Sequence, residues 1–142
     1  MSYRLKKMLK RHEGVKTHAY EDHLGLTTIG VGRCLAEGSL GLSEEEIDFL
    51  LDNDVSRCRK ELTSEYEWFD DLDGVRREAL IDLSFNIGQT RLRGFVKALG
   101  HMADGNYTDA SKEFYDSKWA TQVGDRALEI CQMIESGEYQ ER

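Results

Sequence analysis

Proline is absent from this sequence, so one usual marker of linkers between domains is missing. Cysteine is scarce: Cys34, Cys58 and Cys131 are an odd number that cannot all pair within one chain. None stands in a CxxC pair, and no His/Cys cluster has zinc spacing, so neither a structural metal nor a cofactor is expected. The thiols read as reduced, which suits a cytoplasmic product. No apolar run approaches the ~20 residues that a membrane-spanning helix needs, and that class is excluded. Positive charge is in deficit, with 19 Lys and Arg against 27 Asp and Glu for a net −8. That balance argues against a general nucleic-acid binder, whose affinity comes mostly from cations on phosphates. The stretch from Met1 to Arg11 is basic but no apolar run follows it, so it does not read as a secretory signal.

What is present fits one globular domain: 142 residues, 39% hydrophobic and 32% charged. Leu5, Met8, Leu9 and His12 recur at helical spacing over residues 3–12, with Gly14 as a natural stop. Arg4, Lys6, Lys7, Lys10 and Arg11 lie between them and read as a solvated face. The period then changes. Ala19-Tyr20 and Leu26 to Val31 are β-branched and aromatic runs split by a polar turn, which predicts a small hairpin or meander. Ser43 with Glu46 forms a capping box, and Ile47, Leu50, Leu51, Val55, Cys58 and Leu62 continue a helix to about Leu62. Beyond it the pattern is helical: a central buried helix from Val75 to Ile87, then Phe95 to Gly105, Asp109 to Tyr115 and Ala127 to Ile134.

Two carboxyls stand out. Glu13 falls at the C-terminal end of the first helix, where the dipole and free carbonyls oppose a negative charge by a few tenths to ~1 kcal/mol. A protonated carboxyl there could serve as a general acid. Asp22 sits in the turn of the hairpin, a position that favours Asp for backbone hydrogen bonding in any case. Thr28, on the following strand, could present its hydroxyl to a water held against Asp22. Two carboxyls of unlike environment are what glycosidic cleavage requires, one to protonate the leaving oxygen and one for the cationic centre or its water. Spacing alone does not show that they converge.

Glu13 with Gly14, Tyr20-x-Asp22 and Gly25-x2-Thr28-Ile29-Gly30-Val31-Gly32 together resemble the signature of the phage-type lysozymes, or endolysins, of glycoside hydrolase family 24. The pattern Glu-x8-Asp-x5-Thr is reproduced without a gap. The resemblance continues through Leu72-Asp73-Gly74-Val75-Arg76-Arg77, Phe85-Asn86-Ile87-Gly88, Ser117-Lys118-Trp119 and Arg126-Ala127, so it spans nearly the whole chain. It implies an α+β, mostly α fold: a β-meander lobe over about 13–42, a linking helix over 43–66, and a helical lobe of 67–142 plus 1–12, in a single domain of 1–142. It implies a muramidase cleaving the β-1,4 bond between N-acetylmuramic acid and N-acetylglucosamine of peptidoglycan, with Glu13 as acid and Asp22 and Thr28 handling the charge and the water. By the same resemblance Phe85 and Asn86 fall where the family lines its saccharide cleft. Arg126 matches an arginine that approaches the catalytic glutamate. Phe85 is equally compatible with core packing, and Trp119 reads as core. Arg33 stands where many relatives have histidine, and Cys34 where an apolar residue is common.

The setting implied is a bacterial host lysed by a phage, the protein collecting in the host cytoplasm and reaching the periplasmic wall with the help of a holin. A monomer that neither inserts in membranes nor binds nucleic acid is expected. Two alternatives remain open at this point: a lytic transglycosylase on the same bond, and a catalytically inactive peptidoglycan-binding virion protein.

Overall fold

A computed structural model describes residues 2–141 and divides the chain into two compact units, Met1–Leu50 and Leu51–Arg142. The fold is α+β and mostly helical, with a small sheet near the N-terminus.

The first unit opens with α1, Tyr3–Glu13. Ser2 caps it by accepting from the Leu5 amide at 3.0 Å, and Lys10, Arg11 and His12 suit the negative end of the dipole. Gly14 ends it at φ +81°, its amide donating to the Lys10 carbonyl at 2.9 Å. The expected meander is three antiparallel strands in the order β1 (Lys16–Glu21), β2 (Thr27–Gly30) and β3 (Arg33–Cys34). Tyr20 faces Thr28 and Thr28 faces Cys34, so Thr28 lies in the middle of the sheet. Among the described residues of this unit it is the only buried one, 3% exposed. The capping box forms as read: the Ser43 amide donates to Glu46 Oε1 at 2.8 Å and the Glu46 amide to Ser43 Oγ at 3.1 Å. It starts α2, Glu44–Glu65, which runs on one turn past the expected end.

In the second unit, α2 contributes the buried Cys58 and Leu62. A 3-10 turn at Phe69–Asp71 leads to α3, Gly74–Arg93, which buries Ala79, Leu80, Ile81 and Leu83 as expected of a central helix. The sequence pattern stops at Ile87 for a physical reason: Gly88 adopts φ +81°, ψ 164° and kinks α3 before it resumes. Then come α4 (Val96–Asp104), α5 (Tyr107–Tyr115), α6 (Lys118–Val123) and α7 (Asp125–Ser136). The short α6, capped by Ser117, has too few turns to show a periodic stripe and was not expected. Phe69, Leu80, Leu92, Phe114 and Ile134 form the heart of the core. Trp119 is buried there as predicted, edge-on to Phe95.

Arg76 ties this unit together. Its Nε and Nη2 donate to the Ile134 and Glu135 carbonyls at 2.6 and 2.9 Å, satisfying the end of α7. Its Nη1 meets Asp73 Oδ1 at 3.0 Å, and the guanidinium lies 3.8 Å over the Tyr107 ring. The three cysteines are unpaired. Burial raises the Cys131 thiol to about 12, which makes it an inert core group. Among the described residues no helix is long and apolar enough to cross a membrane.

Candidate active site

Asp22 begins the turn from β1 to β2, and the turn is built on its side chain. Oδ1 accepts from the Leu24 and Leu26 amides, each at 2.9 Å, while the Asp22 amide donates to the Leu26 carbonyl at 2.9 Å. The Leu26 amide holds the Asp22 carboxyl below its ordinary range; partial desolvation opposes this, and the Leu24 amide and the charge of His23 add to the lowering. Asp22 is therefore a carboxylate throughout the neutral range. Both bonds fall on one oxygen, and among the described residues none falls on Oδ2.

Thr28 Oγ1 donates to the same Leu26 carbonyl at 2.8 Å. Its only proton is thereby committed, so the oxygen can accept a hydrogen bond but has none to give. The main chain of Leu26 thus orients both side chains, the carboxylate through its N–H and the hydroxyl through its C=O. Sequence reading could not find this contribution, because it comes from the main chain and leaves no mark in residue type.

Glu13 is the last residue of α1, as predicted. Its carboxyl lies against Gly32: a side chain on that glycine would begin 2.9 Å from Glu13 Oε2. Beyond Gly32, the departure at Arg33 finds its own partners. Arg33 Nη1 donates to the Gly41 carbonyl at 2.9 Å and to Glu46 Oε1 at 2.7 Å. The Arg33 guanidinium, with the Ser43 amide behind it, lowers the Glu46 carboxyl to about 2. Cys34, the other departure, is half-buried and pairs with Thr28 across the sheet.

In the second unit a cleft of about 390 Å³ is lined by Ile81, Asp82, Phe85, Arg126 and Tyr139, with Val55 from α2. Phe85 is 44% exposed and lines this cleft, so it is not a core residue. Arg126 is engaged by Asp82, with Nε at 2.9 Å and Nη2 at 2.8 Å from Oδ1. Tyr139 hydrogen-bonds Glu78, which raises the phenol to about 12 and keeps it neutral. Asn86 does not line this cleft; its Oδ1 accepts from the buried Trp119 indole at 2.8 Å. Asp82 and Tyr139 carried no sequence signal beyond their type. Among the described residues no group of three or more His, Cys, Asp or Glu is placed to hold a metal ion.

Glu13, Asp22 and Thr28 thus come from the first unit and Phe85 and Arg126 from the second. Chemically, the first unit supplies a fixed carboxylate, an acceptor hydroxyl oxygen and a second carboxyl at a helix end.

The sequence model of the family described as phage lysozyme matches residues 10–132. "Probable T4-type lysozyme 1" and "Probable T4-type lysozyme 2" of Dictyostelium discoideum are each 26% identical to this chain. The first alignment covers 94% of both chains and the second 96% of both. The "Pre-baseplate central spike protein Gp5" of Enterobacteria phage T4 is 25% identical over 92% of this chain and 27% of its own length.

Proposed function

The chain belongs to the phage lysozyme family, and on that footing we propose that it is a muramidase cleaving the β-1,4 bond between N-acetylmuramic acid and N-acetylglucosamine of peptidoglycan, with Glu13 as general acid and Asp22 and Thr28 as the pair that manages charge and water. That it is a lysozyme, a hydrolase of peptidoglycan, follows from the family. The residue roles are our reading. The observation that carries them is the shared main chain of Leu26, whose N–H helps keep Asp22 ionised and whose C=O leaves Thr28 with only lone pairs to offer.

In this reading Glu13 gives its proton to the glycosidic oxygen as the bond to the anomeric carbon breaks. Positive charge builds on that carbon and is met by the Asp22 carboxylate. A water keeps one proton in a hydrogen bond to Thr28 Oγ1 and passes the other to Asp22 as its oxygen bonds the anomeric carbon; the sugar leaves with a reducing-end hydroxyl, and exchange with solvent returns the proton from Asp22 to Glu13. The exposed ring of Phe85 offers a stacking face to a saccharide, and Arg126 supplies charge-assisted donors beside it.

The test is mass spectrometry of soluble fragments after incubating the pure protein with isolated peptidoglycan. Reducing muramic ends from the native protein, and none from a folded Glu13→Gln variant, support the reading. Anhydro-muramic ends convert it to a transglycosylase and remove the water from Asp22. Full turnover by Glu13→Gln ends the acid assignment. No fragments from folded protein point to a wall-binding module.

The setting we propose is phage lysis of a bacterial host, the protein acting as a monomer that collects in the cytoplasm and meets the periplasmic wall after release by a holin. The Dictyostelium relatives make the setting a separate question from the chemistry. Expression in bacteria with and without a holin answers it: lysis only with the holin is the expected result. Purification of the protein with phage particles would instead favour a virion role, in keeping with its likeness to the T4 spike protein.

A further inference from the structure

Gly32 stands in the two-residue turn between β2 and β3, at φ +73°, directly against Glu13. A β-carbon built there would sit 2.9 Å from Glu13 Oε2, 3.3 Å from Cδ and 3.5 Å from Cγ. The first of these is closer than β-carbons approach other atoms in folded proteins, so one group would have to yield. The group free to yield is the carboxyl, the far end of a flexible side chain, while the turn is braced on both sides. Ile29 pairs with Arg33 and Thr28 with Cys34 across it, and Arg33 reaches on to the Gly41 carbonyl and to Glu46 at the start of α2.

We infer that Gly32 is a positioning residue for Glu13: the space left by its missing side chain is where the Glu13 carboxyl rests, and the Arg33 tether keeps that space in place. The inference depends on the reading of Glu13 as the acid. It adds a requirement that the acid itself does not reveal, namely that the residue facing it carry no side chain. Proton transfer to a glycosidic oxygen tolerates little displacement of the donor, so a shift of the carboxyl costs turnover even where the fold absorbs it.

Gly38 provides the control. It has φ +83°, and a β-carbon there would meet nothing within 4 Å. Gly32→Ala and Gly38→Ala therefore impose the same kind of backbone strain, but only the first touches Glu13. For Gly32→Ala we expect kcat to fall at least tenfold with KM within twofold; for Gly38→Ala both constants stay within twofold of the native protein. Thermal unfolding gives a readout independent of turnover. Gly32→Ala should lower the midpoint less in a Glu13→Ala background than in the native one, because the crowded contact is gone, while Gly38→Ala should lower it equally in both.

A kcat for Gly32→Ala matching that of Gly38→Ala overturns the inference, as does a midpoint loss at Gly32 that ignores the Glu13 background. If Gly32→Ala folds only with Glu13→Ala, the contact is upheld; if it folds in neither background, Gly32 serves the turn and not the acid. Full activity of Glu13→Gln would instead unseat the proposed acid, a result that no Gly32 variant can mimic.

Discussion

Asp22 and Thr28 are bonded to the main chain of one and the same residue, Leu26. Leu26 donates its amide to the Asp22 carboxylate at 2.9 Å and receives the Thr28 hydroxyl on its carbonyl at 2.8 Å. The carboxylate is oriented by neutral donors, so it keeps its full charge. The hydroxyl is turned into an acceptor by the carbonyl of the same residue. Two side chains at opposite ends of a turn are thereby held by one residue's main chain, and among the described residues the carboxylate is held without a salt bridge that would neutralise it.

Asp22→Asn separates the loop from the chemistry. The amide oxygen of asparagine still accepts from Leu24 and Leu26, so the turn survives while the charge is lost. We expect kcat to fall by about a hundredfold or more, in the range of removing a transition-state electrostatic contact, with the unfolding midpoint nearly unchanged. Since the native carboxyl lies below its ordinary value of 3.8, its ionisation sets no acid limb above that pH. A native pH–rate profile with a limb near pH 4 to 5 that vanishes in Asp22→Asn would contradict this.

Thr28 admits a similar separation. Thr28→Val keeps the shape and removes the hydroxyl, while the Leu26 carbonyl retains the Asp22 amide as donor. The stability loss should be about 0.5–1.5 kcal/mol in urea denaturation, one ordinary hydrogen bond. Turnover should fall tenfold or more, and Thr28→Ser should recover most of it.

Phe85 and Asn86 are neighbours with opposite predicted behaviour. Phe85→Ala removes a half-exposed ring from the cleft and should raise KM severalfold with little change in stability. Asn86→Leu leaves the buried Trp119 indole without its acceptor and should cost roughly 1–3 kcal/mol. Kinetics and urea melts on the two variants check the contrast. A raised KM without lost stability in Asn86→Leu would return that residue to the cleft.

The Arg33–Glu46 pair gives a pH signature. The folded-state value of Glu46, about 2, lies below its ordinary 4.5, so its contribution is full above 4.5 and fades as the pH falls towards 2. Glu46→Gln keeps an acceptor for the Ser43 amide and loses the charge. The gap in unfolding midpoint between native protein and Glu46→Gln should be widest at neutral pH and close as acid is added. A gap that stays constant down to pH 2.5 would show that the charge does not matter.

Arg76→Ala should be the most destabilising of these changes, at roughly 2–4 kcal/mol, because two carbonyls at the end of α7 and the Tyr107 ring lose one partner together. Arg76→Lys should not restore it, since an ammonium cannot reproduce the fork. Chemical denaturation measures both.

The helices were legible where their signals are local. Ser43 and Glu46 mark the start of α2 at Glu44, and the apolar spacing of Val75 to Ile87 locates the first part of α3. Glu13 at a helix end and Asp22 in a turn were legible as oddities of position. What escaped were features decided by backbone geometry: α3 continuing past the Gly88 kink, the six residues of α6, and the carbonyl of Leu26. Arg33 read as a departure because many relatives have histidine there; its partner Glu46 lies thirteen positions away, and only folding brings the two together.

The hub at Leu26 is made of atoms that every residue carries. Its side chain, 41% exposed, contributes nothing to either bond, so almost any substitution there leaves the pair intact. Proline alone is barred by its missing N–H. An alanine scan would pass over the position, and evolution is free to let its identity drift. Replacing the amide that precedes residue 26 by an ester would remove that N–H while leaving every side chain in place, a change that no coded residue other than proline can make.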